Sequence, residues 1–168
     1  MDEKPKNPAP CPIIEVDRVK PPHGRLTIYV TDKRTGETKE AFKSKNLILT
    51  AFRRQSQYII GSTGVDWPNY RVSLMGIGTS AATPTSLLVA ALTGAVTTSV
   101  TYTYLPVTRP YNRMTFTGVF TYGLGNGVSY QEAGLITGDG TLITRVVFGA
   151  MTKSAMFQWT LVWPIEWS

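Results

Sequence analysis

Only three acidic residues lie in the last hundred positions of the chain, and two of them occur in the stretch QEAGLITGDGTLITRVVF, residues 131 to 148. Glu132 and Asp139 could act as the paired carboxylates of a glycoside hydrolase, one as a protonated acid and the other ionised across a cleft, with Glu166 as a third candidate. Asp139, however, lies between two glycines, and Asp-Gly is typical of a tight hairpin. A hairpin tip holds a catalytic base poorly, so the sequence favours a turn role for Asp139.

Glu132 requires a partner because the segment YQEAGL places it beside an apolar strand, where an unpaired carboxylate is costly to bury. Arg145, on the returning strand, is the nearest candidate, and Lys153 is the next. We therefore predict a structural ion pair drawn from Glu132, Arg145 and Lys153, and no catalytic residue.

Other reactive groups are scarce. His23 is the only histidine and Cys11 the only cysteine, too few for a zinc or iron site and too few for an activated nucleophile. The segments GIGTS and GLGNG lack the patterns that cradle phosphate groups. The sequence thus predicts no metal, no cofactor and no enzymatic activity. It places His23 in an exposed turn and leaves Cys11 able to form a disulfide only with another chain.

The first 24 residues form a proline-rich segment that reads as an extended arm, because proline fixes φ and removes an amide donor. The residues that define this predicted assembly arm are Pro5, Pro8, Pro10, Cys11 and Pro12. We expect the arm to lie on its own body or on neighbouring subunits, since chain termini are ordered only when they are tied down. Residues 25 to 168 are predicted to form a single domain.

Most of that domain has the two-residue periodicity of half-buried antiparallel strands. The segments RLTIYV and KEAFKSK flank a turn, and MFQWTLVWPIEW places Phe157, Trp159, Leu161, Trp163 and Ile165 on one face. Two short helices are also predicted: residues 46 to 61, with Asn46 as N-cap, and residues 83 to 94, with a threonine cap and Gly94 after the end. The fold class is therefore mainly β.

The distribution of charged residues along the sequence indicates which kinds of partner the protein is expected to bind. Twelve of the 17 lysines and arginines lie in the first 60 residues, but they alternate with acids and form no block of like charges, which argues against direct nucleic-acid binding. Residues 72 to 108 carry no charge, yet glycine, proline and hydroxyl residues interrupt them, so no membrane span is predicted. Low charge after residue 60 indicates surface covered by other chains.

The order of motifs resembles a group of small virion structural proteins of tailed bacteriophages. Over about residues 45 to 165 the chain contains NLILTAF, then MGIGTSAATPTSLLVAAL, then QEAGLITGDGTLITRVVF, a lysine and a final tryptophan-containing strand. The matching positions are Asn46, Gly76, Gly78, Thr79, Pro84, Leu88, Glu132, Ala133, Gly134, Leu135, Arg145 and Lys153. The resemblance implies an antiparallel β-sandwich that builds a tail, neck or collar, fibre base or capsid-decorating layer without catalysis.

From these features we expect a homo-oligomer located in the virion, assembled in the host bacterial cytoplasm, that contacts portal or adaptor, tail or capsid subunits. The expected interface residues are Arg53, Arg54, Trp67, Tyr70 and Trp167. A carbohydrate- or receptor-binding β-sandwich module is the alternative, because aromatic loops such as VDWPNY offer stacking surfaces.

Overall fold

A computed structural model describes residues 23–48, 71–82, 91–104 and 112–167. These ranges contain eight strands and no helix. The strands are β1 (His23–Asp32), β2 (Thr38–Ile48), β3 (Val72–Gly78), β4 (Val96–Tyr104), β5 (Asn112–Phe120), β6 (Ser129–Thr137), β7 (Leu142–Thr152) and β8 (Phe157–Trp167). The predicted mainly β fold is confirmed for this part of the chain.

The eight strands pair only antiparallel and close into a barrel in the order β1-β2-β7-β6-β3-β4-β5-β8, with β8 returning to β1. The narrowest seam joins β2 to β7, where only Leu47↔Arg145 and Ile48↔Thr144 are paired. Closure gives every described strand two neighbours, but beside the two-residue seam most of β2 and most of β7 pair on one side only. The two separate sheets of the predicted sandwich are not confirmed by this strand order.

The barrel interior is filled by the inward faces of the strands. On β8 the alternating residues Trp159, Leu161, Trp163 and Ile165 are buried, as the sequence predicts, while Phe157 at the strand start is only partly buried. Trp159 meets Tyr130 of β6 edge-on, with 5.9 Å between ring centroids. Large aromatic side chains on β8 therefore make this strand a main contributor to the core.

The first hairpin is confirmed. Strands β1 and β2 pair along their length, and the turn is closed by hydrogen bonds from the Asp32 amide to the Glu37 carbonyl and from the Gly36 amide to the Asp32 carbonyl, both 2.9 Å. Gly36 has φ +68°, a conformation that favours glycine. The register shifts by one residue between Ile28, opposite Phe42, and Tyr29, opposite Glu40, so the extra residue of the bulge is Ala41 of β2.

The start of the first predicted helix is wrong. Asn46 to Ile48 continue strand β2, with Asn46 opposite Gly24 and Leu47 opposite Arg145, so pairing with two neighbouring strands overrides the local N-cap signal. The rest of that helix, and residues 83 to 90 of the second, lie outside the described residues. Gly94, predicted to follow the second helix, has φ +55°.

The predicted boundary of the arm is also wrong by two residues. His23 and Gly24 already belong to β1, opposite Glu166 and Ile165 of β8. The arm residues Pro5, Pro8, Pro10, Cys11 and Pro12 lie outside the described residues. The same is true of the predicted interface residues Arg53, Arg54, Trp67 and Tyr70 and of the side chain of Trp167.

Candidate functional site

The two acids of the opening stretch lie in different environments. Asp139 is exposed in the turn between β6 and β7, whereas Glu132 is fully buried on β6. Gly140, which follows Asp139, has φ +87° and donates its amide to the Thr137 carbonyl at 3.0 Å. Asp139 is therefore the hairpin tip that the Asp-Gly pair predicts.

The Asp139 carboxylate stabilises this turn. Its Oδ1 accepts hydrogen bonds from the Thr137 hydroxyl and, at 3.0 Å, from the Thr141 amide. Burial by itself would raise the pKa of Asp139, but the hydrogen bonds from Thr137 and Thr141 outweigh it and hold the pKa below its ordinary value of 3.8.

Replacing Asp139 by Asn should slightly lower the free energy of unfolding near neutral pH. A carboxylate whose folded pKa is lowered contributes stability above its unfolded pKa and loses that contribution as the pH falls through the folded value. Urea unfolding at pH 7 and at several values below 3.8 should show the difference between parent and variant shrinking in acid. A difference that stays constant over this range would contradict the assignment.

Glu132 forms an ion pair with Arg145. The guanidinium Nε donates to Glu132 Oε2 at 2.6 Å, and the two side chains are 0% and 4% exposed. On β6, Ala133 and Leu135 face the barrel core, so Glu132 and Gly134 face the outside of the wall. The pair is thus buried outside the barrel, beneath the connection between β3 and β4.

Both described ends of that connection are hydrogen-bonded to the pair. Glu132 Oε1 accepts the amides of Ser80 at 3.3 Å and Thr93 at 2.7 Å, and Arg145 Nη1 donates to the Ala82 carbonyl at 3.0 Å. We call these five residues the clamp. Both oxygens of Glu132 are occupied, so the carboxylate serves as an acceptor that joins the connection to the wall.

Glycines on the wall make room for the clamp. A Cβ at Gly78 would lie 2.5 Å from Glu132 Oε1 and 2.8 Å from the Thr93 carbonyl oxygen. A Cβ at Gly76 would lie 2.7 Å from Leu92 Cδ1, and Leu92 packs with Leu142 in a small apolar cluster separate from the barrel core. The connection can therefore approach the wall this closely only because both positions are glycines, which have no Cβ.

Lys153 does not join the Glu132 pair, which corrects the prediction that grouped them. It follows the end of β7, eight residues beyond Arg145 and thus roughly 26 Å along an extended strand. Its fully buried Nζ donates to the Thr121 carbonyl at 2.8 Å, the Phe157 carbonyl at 3.0 Å and Asn126 Oδ1 at 3.1 Å. Burial lowers the pKa of Lys153. This lysine connects two turns at one end of the barrel.

A second group of charged residues, which the sequence did not reveal, converges near the beginning of β1. His23 is exposed, as predicted, but it belongs to a strand, and its Nε2 lies 3.3 Å from Glu166 Oε2. Arg113 Nε lies 3.3 Å from the other oxygen of Glu166. Arg25 and Lys45 are directly opposite each other on β1 and β2. Sequence reasoning could not have found this group without the strand order, because its members come from four different strands.

Comparisons with protein families, with curated proteins and with solved structures gave no match to this chain. In the ranges that the structure describes, no helix is long and apolar enough to cross a membrane. Nor do the described residues bring together three or more His, Cys, Asp or Glu side chains in an arrangement that could hold a metal ion.

Proposed function

We propose that this protein is a non-enzymatic structural subunit of a tailed-bacteriophage virion. It assembles through its N-terminal arm and its β-domain surface, as a homo-oligomer in contact with other virion proteins, at the neck or tail, at the fibre attachment or on the capsid. The order of motifs in the sequence suggests this class of protein, and the clamp supports it.

The proposal rests mainly on one observation, which is that residues from separate motifs of the resemblance lie together at the clamp. Gly78 comes from one segment of the resemblance and Glu132 and Arg145 from another, and all three are needed where the β3–β4 connection is clamped to the barrel. A clamp whose carboxylate is fully buried and already hydrogen-bonded on both oxygens suits a structural building block. It offers substrate neither a free acid nor a free base.

The closed barrel indicates how such a subunit would contact its neighbours. The described strands form a ring, and its unpaired stretches lie on β2 and β7 beside their two-residue seam. Contacts with neighbours can then come from the outer surface of the barrel, including these stretches, or from a segment outside the barrel. The proline-rich residues 1 to 22 suit this second role, since an extended arm adds contact area at low ordering cost.

Deleting residues 1 to 22 should leave the barrel folded and weaken assembly. The cut precedes His23 because β1 begins there. Light scattering after size exclusion would compare the solution mass of the full chain and of the truncated chain, and circular dichroism would report the β fold. Incorporation into particles would be followed by electron microscopy with labelled subunits.

The control variant Cys11→Ser separates arm contacts from an intermolecular disulfide. If the truncated chain reaches the same solution mass as the full chain and enters particles equally well, the proposed role of the arm is wrong. If the full chain is absent from virions, the proposed function as a whole is wrong.

A further inference from the structure

A concave groove lies on the outer face of the barrel where β1 and β5 begin and β2 and β8 end. It encloses about 420 Å³. Its lining residues are His23, Gly24, Arg25, Lys45, Arg113, Pro164 and Glu166. We call it the basic groove, because its lining contains two arginines, one lysine and one histidine but only one acid.

Strand register explains why the cations meet. Arg25 on β1 is directly opposite Lys45 on β2, and like charges in this position repel each other. Among the described residues, neither side chain has a carboxylate within ion-pair distance. The fold thus places two uncompensated cations side by side at the groove wall.

On the opposite wall of the groove, basic side chains already pair with a carboxylate, that of Glu166. His23, Glu166 and Arg113 occupy one row across β1, β8 and β5, and the carboxylate lies between the imidazole and the guanidinium, 3.3 Å from each. Leaving His23 aside, the three cations Arg25, Lys45 and Arg113 against the one acid Glu166 give the groove a net charge of +2. A further anion of charge −2 would balance it.

The other end of the β1–β2 hairpin has a smaller surplus, since only Lys33 of its described cations has no acid within ion-pair distance, and its Nζ lies over the Tyr122 ring, 5.7 Å from the centroid. There Arg34 lies 3.8 Å from Asp32, Lys39 lies 3.2 Å from Glu37, and Lys43 lies 3.6 Å from Glu40. Each of these exposed cations therefore has its own acid. The groove differs because two cations without an acid, Arg25 and Lys45, lie directly opposite each other there.

We propose that the basic groove binds a dianionic phosphate group, either as free phosphate or as a phosphate monoester. A phosphate monoester carries about −1.5 to −2 charges near pH 7, which matches the groove, whereas a single carboxylate carries only one. Guanidinium groups donate to phosphate oxygens in paired hydrogen bonds, and Arg25 and Arg113 stand on opposite walls. Lys45 adds a charge beside Arg25.

Titration with inorganic phosphate and with adenosine monophosphate at about pH 8, where both are dianions, tests the site. Calorimetry would give the Kd, and amide shifts of Gly24 and Glu166 would locate the ligand. Arg25→Ala should weaken binding about tenfold, since it removes a charge-assisted contact. The matched control Arg34→Ala, at the far end of the hairpin, should leave the Kd unchanged.

Glu166→Gln should have the opposite effect and tighten binding about threefold, because it removes the only negative charge of the groove and frees Arg113. Lys45→Met carries the same test as Arg25→Ala if the latter fails to fold. Equal affinity for the two probes would assign recognition to the phosphate group alone, and tighter binding of adenosine monophosphate would assign it to an ester. Absence of saturable binding by either probe, or equal losses in Arg25→Ala and Arg34→Ala, would overturn the proposal.

Discussion

Replacing Glu132 by Gln is expected to lower the free energy of unfolding by about 3 to 5 kcal/mol. The substitution keeps the size of the side chain but leaves Arg145, which is 4% exposed, as a buried charge without a counter-ion. It also replaces the charged acceptor of the Ser80 and Thr93 amides by a neutral one. Urea unfolding followed by tryptophan fluorescence would measure the loss.

The control for this experiment is Glu37→Gln. Glu37 is also paired, with Lys39 at 3.2 Å, but its side chain is 58% exposed, so its replacement should change stability by less than about 0.5 kcal/mol. Hydrogen exchange of the Ser80 and Thr93 amides should accelerate in Glu132→Gln and stay unchanged in Glu37→Gln. A Glu132→Gln variant that unfolds like the parent would show that the clamp does not stabilise the fold.

Replacing Gly78 by Ala is expected to cost about 3 kcal/mol, at the upper end of the usual cost of overpacking. The added Cβ would approach Glu132 Oε1 to 2.5 Å and the backbone carbonyl oxygen of Thr93 to 2.8 Å. Because one of these neighbours is backbone and the other is held in an ion pair, neither can move without breaking a clamp hydrogen bond. The same urea unfolding experiment would measure this loss.

Gly149→Ala is the matched control for Gly78→Ala. Gly149 also lies in a strand, β7, but it is exposed, and an added Cβ there would meet nothing within 4 Å. Its replacement should change the free energy of unfolding by less than about 0.5 kcal/mol. Combining Gly78→Ala with Glu132→Gln should cost less than the sum of the two single changes, since both damage the same contact. Strict additivity would show that the two positions are not coupled.

The pairing of Glu132 with Arg145 could be anticipated because it needs little more than a hairpin. The Asp-Gly turn places β6 beside β7, and Arg145 lies diagonally across from Glu132, opposite Gly134. A long arginine side chain spans such a diagonal. The burial of the pair could not be anticipated, since it depends on the β3–β4 connection, whose Thr93 is 39 residues away in sequence.

The basic groove depends on a detail that no local pattern specifies. The bulge at Ile28/Tyr29 shifts the β1–β2 register by one residue, and only the shifted register places Lys45 opposite Arg25. A hairpin without the bulge would continue the pairing of Tyr29 with Glu40 and place Ser44 opposite Arg25. Arg113 and Glu166 then join through β5 and β8, whose neighbours are set by barrel closure.

By itself the sequence determined which face of β8 is apolar, where two hairpins turn, and that Glu132 needs a cation. These features arise from alternation and turn chemistry among residues close in the chain, so local patterns contain them. Only the tertiary structure decided the strand order, the extension of β2 through Ile48, the separate site of Lys153 and the convergence of charges at the basic groove. Those features depend on hydrogen-bonded register and packing between distant segments, which outweigh local preference wherever the two disagree.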